Sequence, residues 1–201
     1  MKASITRKAS GFSLIELLVV AALLIVMSVM LYGFGSASHQ KTQKQLCADN
    51  LQKVYLSLQI YANDFNGAFP VNTNAQTSDE ALDVLLPKYT VDNSIFICPG
   101  GRDSAIPLNV PIRNRRISYA YYMGERVDNS TNALMSDRQI NTLPKKIGEQ
   151  IFSLNGKKPA NNHHKYGGNI LFCDGSVEAT KPLAEFPLAF SNGVVLLNPK
   201  P

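Results

Sequence analysis

Between Phe12 and Phe34 the chain carries a single charged side chain, Glu16, in an otherwise apolar run. A helix of that length crosses the hydrocarbon core of a bilayer, which takes about 20 apolar residues at a rise of about 1.5 Å each. No small soluble domain can bury such a helix on all sides, so this run sets the organisation of everything around it. Met1 to Gly11 is a short polar leader with Lys2, Arg7 and Lys8 and no acid. Bases on that side alone place Met1 in the cytoplasm and the rest of the chain outside it. A cleaved secretory signal would have a shorter apolar core and a small-residue cleavage site. Here Ala21-Ala22 is followed by more Leu, Ile, Val and Met, and the segment is expected to stay as an anchor.

Charge excludes little else. The 201 residues hold 20 Lys and Arg against 15 Asp and Glu, a net +5, but the leader contributes three of the bases, leaving 17 against 15. A weak excess without a clustered stripe describes a solvated surface, and no nucleic-acid partner is predicted.

Gly11-Phe12-Ser13-Leu14-Ile15-Glu16 resembles the class III signal of type IV pilins and type II secretion pseudopilins. The resemblance implies that prepilin peptidase cuts between Gly11 and Phe12, methylates the new amino terminus at Phe12, and leaves Glu16 as the fifth mature residue. It also implies assembly with identical or related pilin subunits by an inner-membrane platform and its ATPase. The chemistry of the residues agrees. A carboxylate inside hydrocarbon costs roughly 2.5–3.5 kcal/mol on insertion scales, so it needs a partner. The ammonium created at Phe12 of a neighbouring subunit would be one, and the pair would set the stagger between subunits.

Beyond residue 35 the apolar period becomes helical. Cys47, Leu51, Val54, Leu58, Tyr61 and Phe65 recur at three- and four-residue spacing, flanked by Tyr55 and Ala62, with Gln43, Lys44, Gln52 and Gln59 on the other side. One helix is therefore expected from about Phe12 to about Asp64, stopped by Gly67 and Pro70. The stretch from Cys47 to Asp64, closing on Phe69-Pro70, also resembles bacterial pseudopilin-like proteins, in which the amphipathic half packs on a small sheet.

Further along, Thr77 with Glu80 three residues later reads as a capping box opening a short helix. Ser94 to Gly101 reads as a strand ending in a tight turn, and Ile117 to Met123 as a strand in which Tyr119 and Tyr121 share a half-buried face. Asp103 to Arg116 and Asp128 to Gln139 read as loops, with Arg113, Arg115 and Arg116 as surface charges.

Asp174-Gly175 between Ile170-Leu171-Phe172 and Val177 is a hairpin signal, with positive φ expected at both turn positions. His164, nine intervening residues and Asp174-Gly175 resemble the H-x9-DG segment of a large subgroup of prepilin-like proteins. His163, His164 and Asp174 could make a metal site, since imidazole and carboxylate suit zinc or manganese, with His164 and Asp174 the weak candidates. A carboxylate on a turn more often caps its own loop. Calcium occurs in the C-terminal loops of major pseudopilins, yet Asp174 with Glu178 or Asn169 is a sparse oxygen set for it. No cofactor is firmly expected. Three cysteines allow one bridge. Of the three pairings, Cys98 with Cys173, each ending an apolar strand-like run, is favoured, with Cys47 as core, and packing without any bridge is the close alternative. No phosphate loop, Ser-x-x-Lys pair or paired-carboxylate signature appears, so no enzymatic activity is expected.

The expected fold is α+β and pilin-like, a long N-terminal helix packed on a small antiparallel sheet. Residues 1–11 form the leader, 12–35 the transmembrane and assembly helix, and 36–201 the head, which includes the amphipathic helix to about 66 and the segment 161–180. The expected function is that of a structural subunit of a type II secretion pseudopilus or a type IV pilus-like filament, single-pass in the inner membrane with an extracytoplasmic head. The alternative is a signal-anchored extracytoplasmic binding or metal-dependent module that does not polymerise.

Overall fold

The computed structural model describes residues 13–108, 110–160, 162–163 and 166–201, and of residues 32–38 the backbone alone. Helix α1 spans Leu14–Asp64. The chain divides at residue 39 into an N-terminal unit and a larger unit of Gln40–Pro201.

The larger unit holds five strands: β1 (Tyr119–Met123), β2 (Ala133–Asp137), β3 (Gly168–Phe172), β4 (Val177–Thr180) and β5 (Val195–Leu197). They form one antiparallel sheet in the order β4-β3-β2-β1-β5. The predicted stripe of α1 is what this sheet packs against. Cys47, Leu51, Val54 and Leu58 are fully buried and meet Tyr119, Tyr121, Met135 and Leu171 in one core. Burying each aliphatic side chain contributes about 1.5–3 kcal/mol. Phe65, at the end of the stripe, stays 46% exposed and stacks on Tyr61 at 4.2 Å.

β1 is buried on both faces rather than one. Tyr119 and Tyr121 face α1, and their hydroxyls donate to the carbonyls of Cys47 (3.4 Å) and Pro70 (2.8 Å). On the opposite face Tyr122 packs with Ala120, Leu196 and Phe190, and Gln139 Nε2 donates to its hydroxyl at 2.6 Å. A second cluster of Ile151, Phe152, Ala184 and Leu188 covers Ile170 of β3. The irregular segments 138–160 and 181–194 therefore supply the layer that a second sheet or helix supplies elsewhere.

Several local expectations give way. Ser94 to Gly101 is no strand: Asn93–Phe96 form a 3-10 turn, capped by Asp92, whose carboxylate accepts from Ser94 N at 2.9 Å. Segment 128–139, expected as loop, contains β2, and β5 had no signal because three residues are too few to show alternation. Helix α2 spans Ser78–Leu82, but the Thr77 hydroxyl makes no cap bond. Half of the box survives with its register shifted, as Glu80 accepts from Gln76 N at 2.7 Å. The β3–β4 hairpin forms, with one left-handed residue instead of two. Gly175 has φ 87° and its N–H reaches Phe172 O at 3.0 Å, giving a three-residue connection of Cys173, Asp174 and Gly175.

Leu58→Ala leaves a cavity against the sheet and should lower the unfolding free energy of the detergent-solubilised full chain by about 2–5 kcal/mol in urea titration. Leu56→Ala, at a position 63% exposed, should change it by less than about 0.5 kcal/mol. Equal effects would contradict the assignment of the buried face.

Candidate functional site

Two places carry chemistry. The first is the start of α1. Leu14–Leu31 is long and apolar enough to cross a membrane, and none of it is buried within the protein. Leu14 is 80% exposed and even Val20 is 48% exposed. So continuous an apolar surface is stable only in lipid or against other apolar helices. Glu16 is exposed on this segment, and its N–H closes the first turn on Ser13 O at 3.0 Å. Gly11 and Phe12, the predicted processing residues, lie outside the described residues.

The second lies between α1, β2 and the segment after residue 161. Its centre is Asp137, the last residue of β2 and fully buried. Asp137 Oδ1 accepts from Asn162 Nδ2 at 2.9 Å. Oδ2 accepts from Asn169 N at 2.7 Å and Asn169 Nδ2 at 3.1 Å, and lies 3.1 Å from His163 Nε2. Burial opposes ionisation of this carboxyl, but His163 and the donors of Asn162 and Asn169 outweigh it and hold the group below the usual carboxylate range. Asn169 Nδ2 also donates to Lys44 O at 2.9 Å, which ties the node to α1.

Beside the node is the disulfide. It joins Cys47 to Cys98, with Cα atoms 5.0 Å apart, and not Cys98 to Cys173. The expectation failed with the strand it rested on. Cys98 follows a 3-10 turn laid on α1, where Asn50 Nδ2 donates to Ile97 O at 3.0 Å and sets the register opposite Cys47. Cys98 N is fixed by Ser118 Oγ at 2.9 Å, and Cys98 Sγ lies 3.5 Å from His163 Nε2. Gly100 is required there, because a Cβ would stand 2.6 Å from His163 Nδ1 and 2.9 Å from Asn162 O. The sulfur, imidazole and carboxylate donors of Cys47, Cys98, His163 and Asp137 all lie within 4.8 Å of one another, every residue buried.

Of the residues singled out from sequence, Cys98 and His163 lie at the node, whereas Asp174 and Cys173 are not among its donors. His164 lies outside the described residues. Asp174 caps its own turn, accepting from Ser176 N at 2.8 Å and Ser176 Oγ at 2.6 Å. Those bonds hold its carboxyl below the ordinary range. Cys173 is a free, buried thiol pushed up to about 12 by burial, which leaves it inert as a nucleophile. Two residues read as surface groups turn out to be structural. Lys44 Nζ donates to the carbonyls of Tyr166 (2.9 Å) and Thr180 (2.6 Å). Arg116 Nε sits 2.7 Å from Asp103 Oδ1, a carboxylate only 2% exposed that Arg138 also approaches at 3.4 Å. The Asn-Asn-His run, Asn161 to His163, was the signal within reach for the node, since amide and imidazole side chains there can bind only something polar.

Helix and sheet together define an α+β protein of pilin-like arrangement. A family model described as the prokaryotic N-terminal methylation motif matches residues 6–32, so the chain carries the prepilin-type signal ahead of its apolar helix. The motif implies processing by prepilin peptidase and assembly with pilin-like subunits, and the helix behind it makes a single-pass membrane anchor. Comparison with curated proteins and with solved structures gives no match.

The lowered carboxyl of Asp137 binds its proton less tightly in the folded than in the unfolded chain. Its contribution to stability is complete above the unfolded value of about 3.9 and is lost as pH falls through the lower folded value. Asp137→Asn should therefore cost about 3 kcal/mol near neutrality. It should also shrink the loss of stability between about pH 5 and pH 2 in urea titrations at stepped pH. An acid limb as steep as in the unsubstituted chain would move that dependence to other carboxylates.

Proposed function

We propose that this chain is a structural subunit of a type II secretion pseudopilus or a type IV pilus-like filament. The observation that carries the reading is Glu16, the sole charged residue of Leu14–Leu31, standing exposed on an unburied apolar helix inside a prepilin-type methylation motif. Cleavage between Gly11 and Phe12 removes Lys2, Arg7 and Lys8 and exposes an amine at Phe12. Subunits wait in the inner membrane as single-span proteins with the head outside the cytoplasm. An assembly platform extracts them, and its ATPase supplies the work. In the filament the apolar helices pack on one another, and each Glu16 neutralises the methylated amine of a neighbour. That pairing fixes the axial step, because a one-residue slip leaves two charges unpaired in an apolar interior. The head contributes surface, and no catalysis is assigned to it.

The buried four-residue cluster beside α1 favours one alternative, an anchored head with a metal-dependent role that never polymerises. Glu16→Ala separates the two. In the filament reading it leaves the chain in the membrane and lowers its recovery in sheared or affinity-isolated filaments by about 100-fold, the equivalent of one unpaired intramembrane charge. Recovery unchanged by the substitution would contradict the filament reading.

A further inference from the structure

The geometry points to a second closure of the buried node: in the dithiol state, Cys47, Cys98, His163 and Asp137 hold one zinc ion, so that head and helix are joined by a disulfide when oxidised and by metal when reduced. The four donors come from four separate pieces of chain, namely α1, the loop after the Asn93–Phe96 turn, the end of β2 and the segment after residue 161. All four residues are buried, and their donor atoms fall within 4.8 Å of one another. A tetrahedral zinc site with bonds of about 2.0–2.3 Å requires donors about 3.3–3.8 Å apart. His163 Nε2 is already 3.5 Å from Cys98 Sγ and 3.1 Å from Asp137 Oδ2. Once the bridge opens, the two sulfurs must separate, and the other donors, all within 4.8 Å of one another, need shifts of about 1 Å or less to reach that spacing.

A disulfide alone does not account for its surroundings. It is neutral, and apolar contacts suffice to bury it. Setting an imidazole and a carboxylate against it carries a desolvation cost that an apolar pair would avoid. Two thiolates, one imidazole and one carboxylate form a donor set suited to zinc, whereas calcium and magnesium want oxygen alone. Asn162 would orient the carboxylate through Oδ1 and Asn169 N through Oδ2, as outer partners of metal ligands do.

The steps balance. A dithiol reductant, itself becoming a disulfide, gives the Cys47–Cys98 bridge two electrons and two protons and leaves two thiols. Zinc then displaces both thiol protons to solvent. His163 turns its Nε2 lone pair to the metal and carries its ring proton on Nδ1, which has no hydrogen-bond partner among the described residues. In the reverse direction a disulfide oxidant takes two electrons from the bound thiolates, the bridge closes and the ion leaves.

The test uses the full chain in detergent with Cys173→Ala, so that Cys47 and Cys98 are the thiols counted, and cobalt(II) as a spectroscopic substitute for zinc. The reduced chain should take up one cobalt per chain, with thiolate charge-transfer absorption in the near ultraviolet and tetrahedral bands in the visible. Zinc should abolish both, and the oxidised chain should show neither. In the reduced chain, Asp137→Asn and His163→Gln should each weaken uptake by at least about tenfold, with circular dichroism reporting whether the fold persists. Comparing oxidised with reduced chain needs no substitution at the node, so a misfolded variant cannot blur it. A reduced chain that takes up no cobalt, folded or not, overturns the inference. So does equal uptake by folded Asp137→Asn and His163→Gln chains, which would mean that two thiols chelate the ion alone.

Discussion

The head depends on one buried carboxylate. Asp137 ends β2 out of reach of water, and an ionised group there persists only where donors replace its hydration. Asn162 and His163 supply them from the chain ahead of β3, and Asn169 from β3 itself, so both are fastened to the end of β2. Asn169 passes the constraint on to Lys44 O of α1, and Lys44 Nζ returns it to Tyr166 O and Thr180 O. Burial lowers the readiness of that ammonium to stay charged, while Asp137 and Glu185 partly restore it. The opposed charges of Asp137 and Lys44 are thus bound into one fold element by element. A Cys47–Cys98 bridge alone would fasten α1 to a loop and leave β3 and β4 held by pairing and apolar contact.

Such polar fastening fits a unit in which so much of the chain is irregular. Strands of three to five residues give short ladders, and the layers over the sheet are loops whose backbone groups must each find a partner. Ser118 shows how this is done. Its Oγ donates to the buried Asp103 carboxylate at 2.7 Å and accepts from Cys98 N at 2.9 Å, linking the arginine cluster of Arg116 and Arg138 to the bridge. Helix α1 is subject to two different demands along its length. Between Leu14 and Leu31 no side chain is covered by the protein. From Cys47 to Leu58 its stripe is wholly enclosed. One sequence period serves lipid or neighbouring helices, the other a sheet.

What the sequence made legible follows from range. The apolar run, the signal around Glu16, the stripe of α1, β1 and the Asp174-Gly175 hairpin each rest on neighbours a few residues apart, and all appear. At Thr77 and across Ser94 to Gly101 tertiary contacts override the local pattern. Ser78 Oγ is drawn to Tyr119 O at 2.7 Å, and the Asn93–Phe96 turn is shaped by Asn93 reaching Pro107 O and Val110 O. Beyond the Asn-Asn-His run, the polar node had no local signal, for the same reason. Asp137, His163 and Cys47 lie far apart in the chain, and β2, which brings the first of them in, looked like loop. His163 meets the node through its Nε2, a placement that depends on how the chain turns ahead of β3 and that local pattern does not carry.

The central claim is that the apolar helix begins a processed filament subunit and does not end a permanent anchor. Intact mass and N-terminal sequencing of the protein recovered from membranes address it directly. The account predicts a chain that starts at N-methylated Phe12, with Glu16 as its fifth residue. A chain that still starts at Met1, in cells with an active prepilin peptidase, would contradict it.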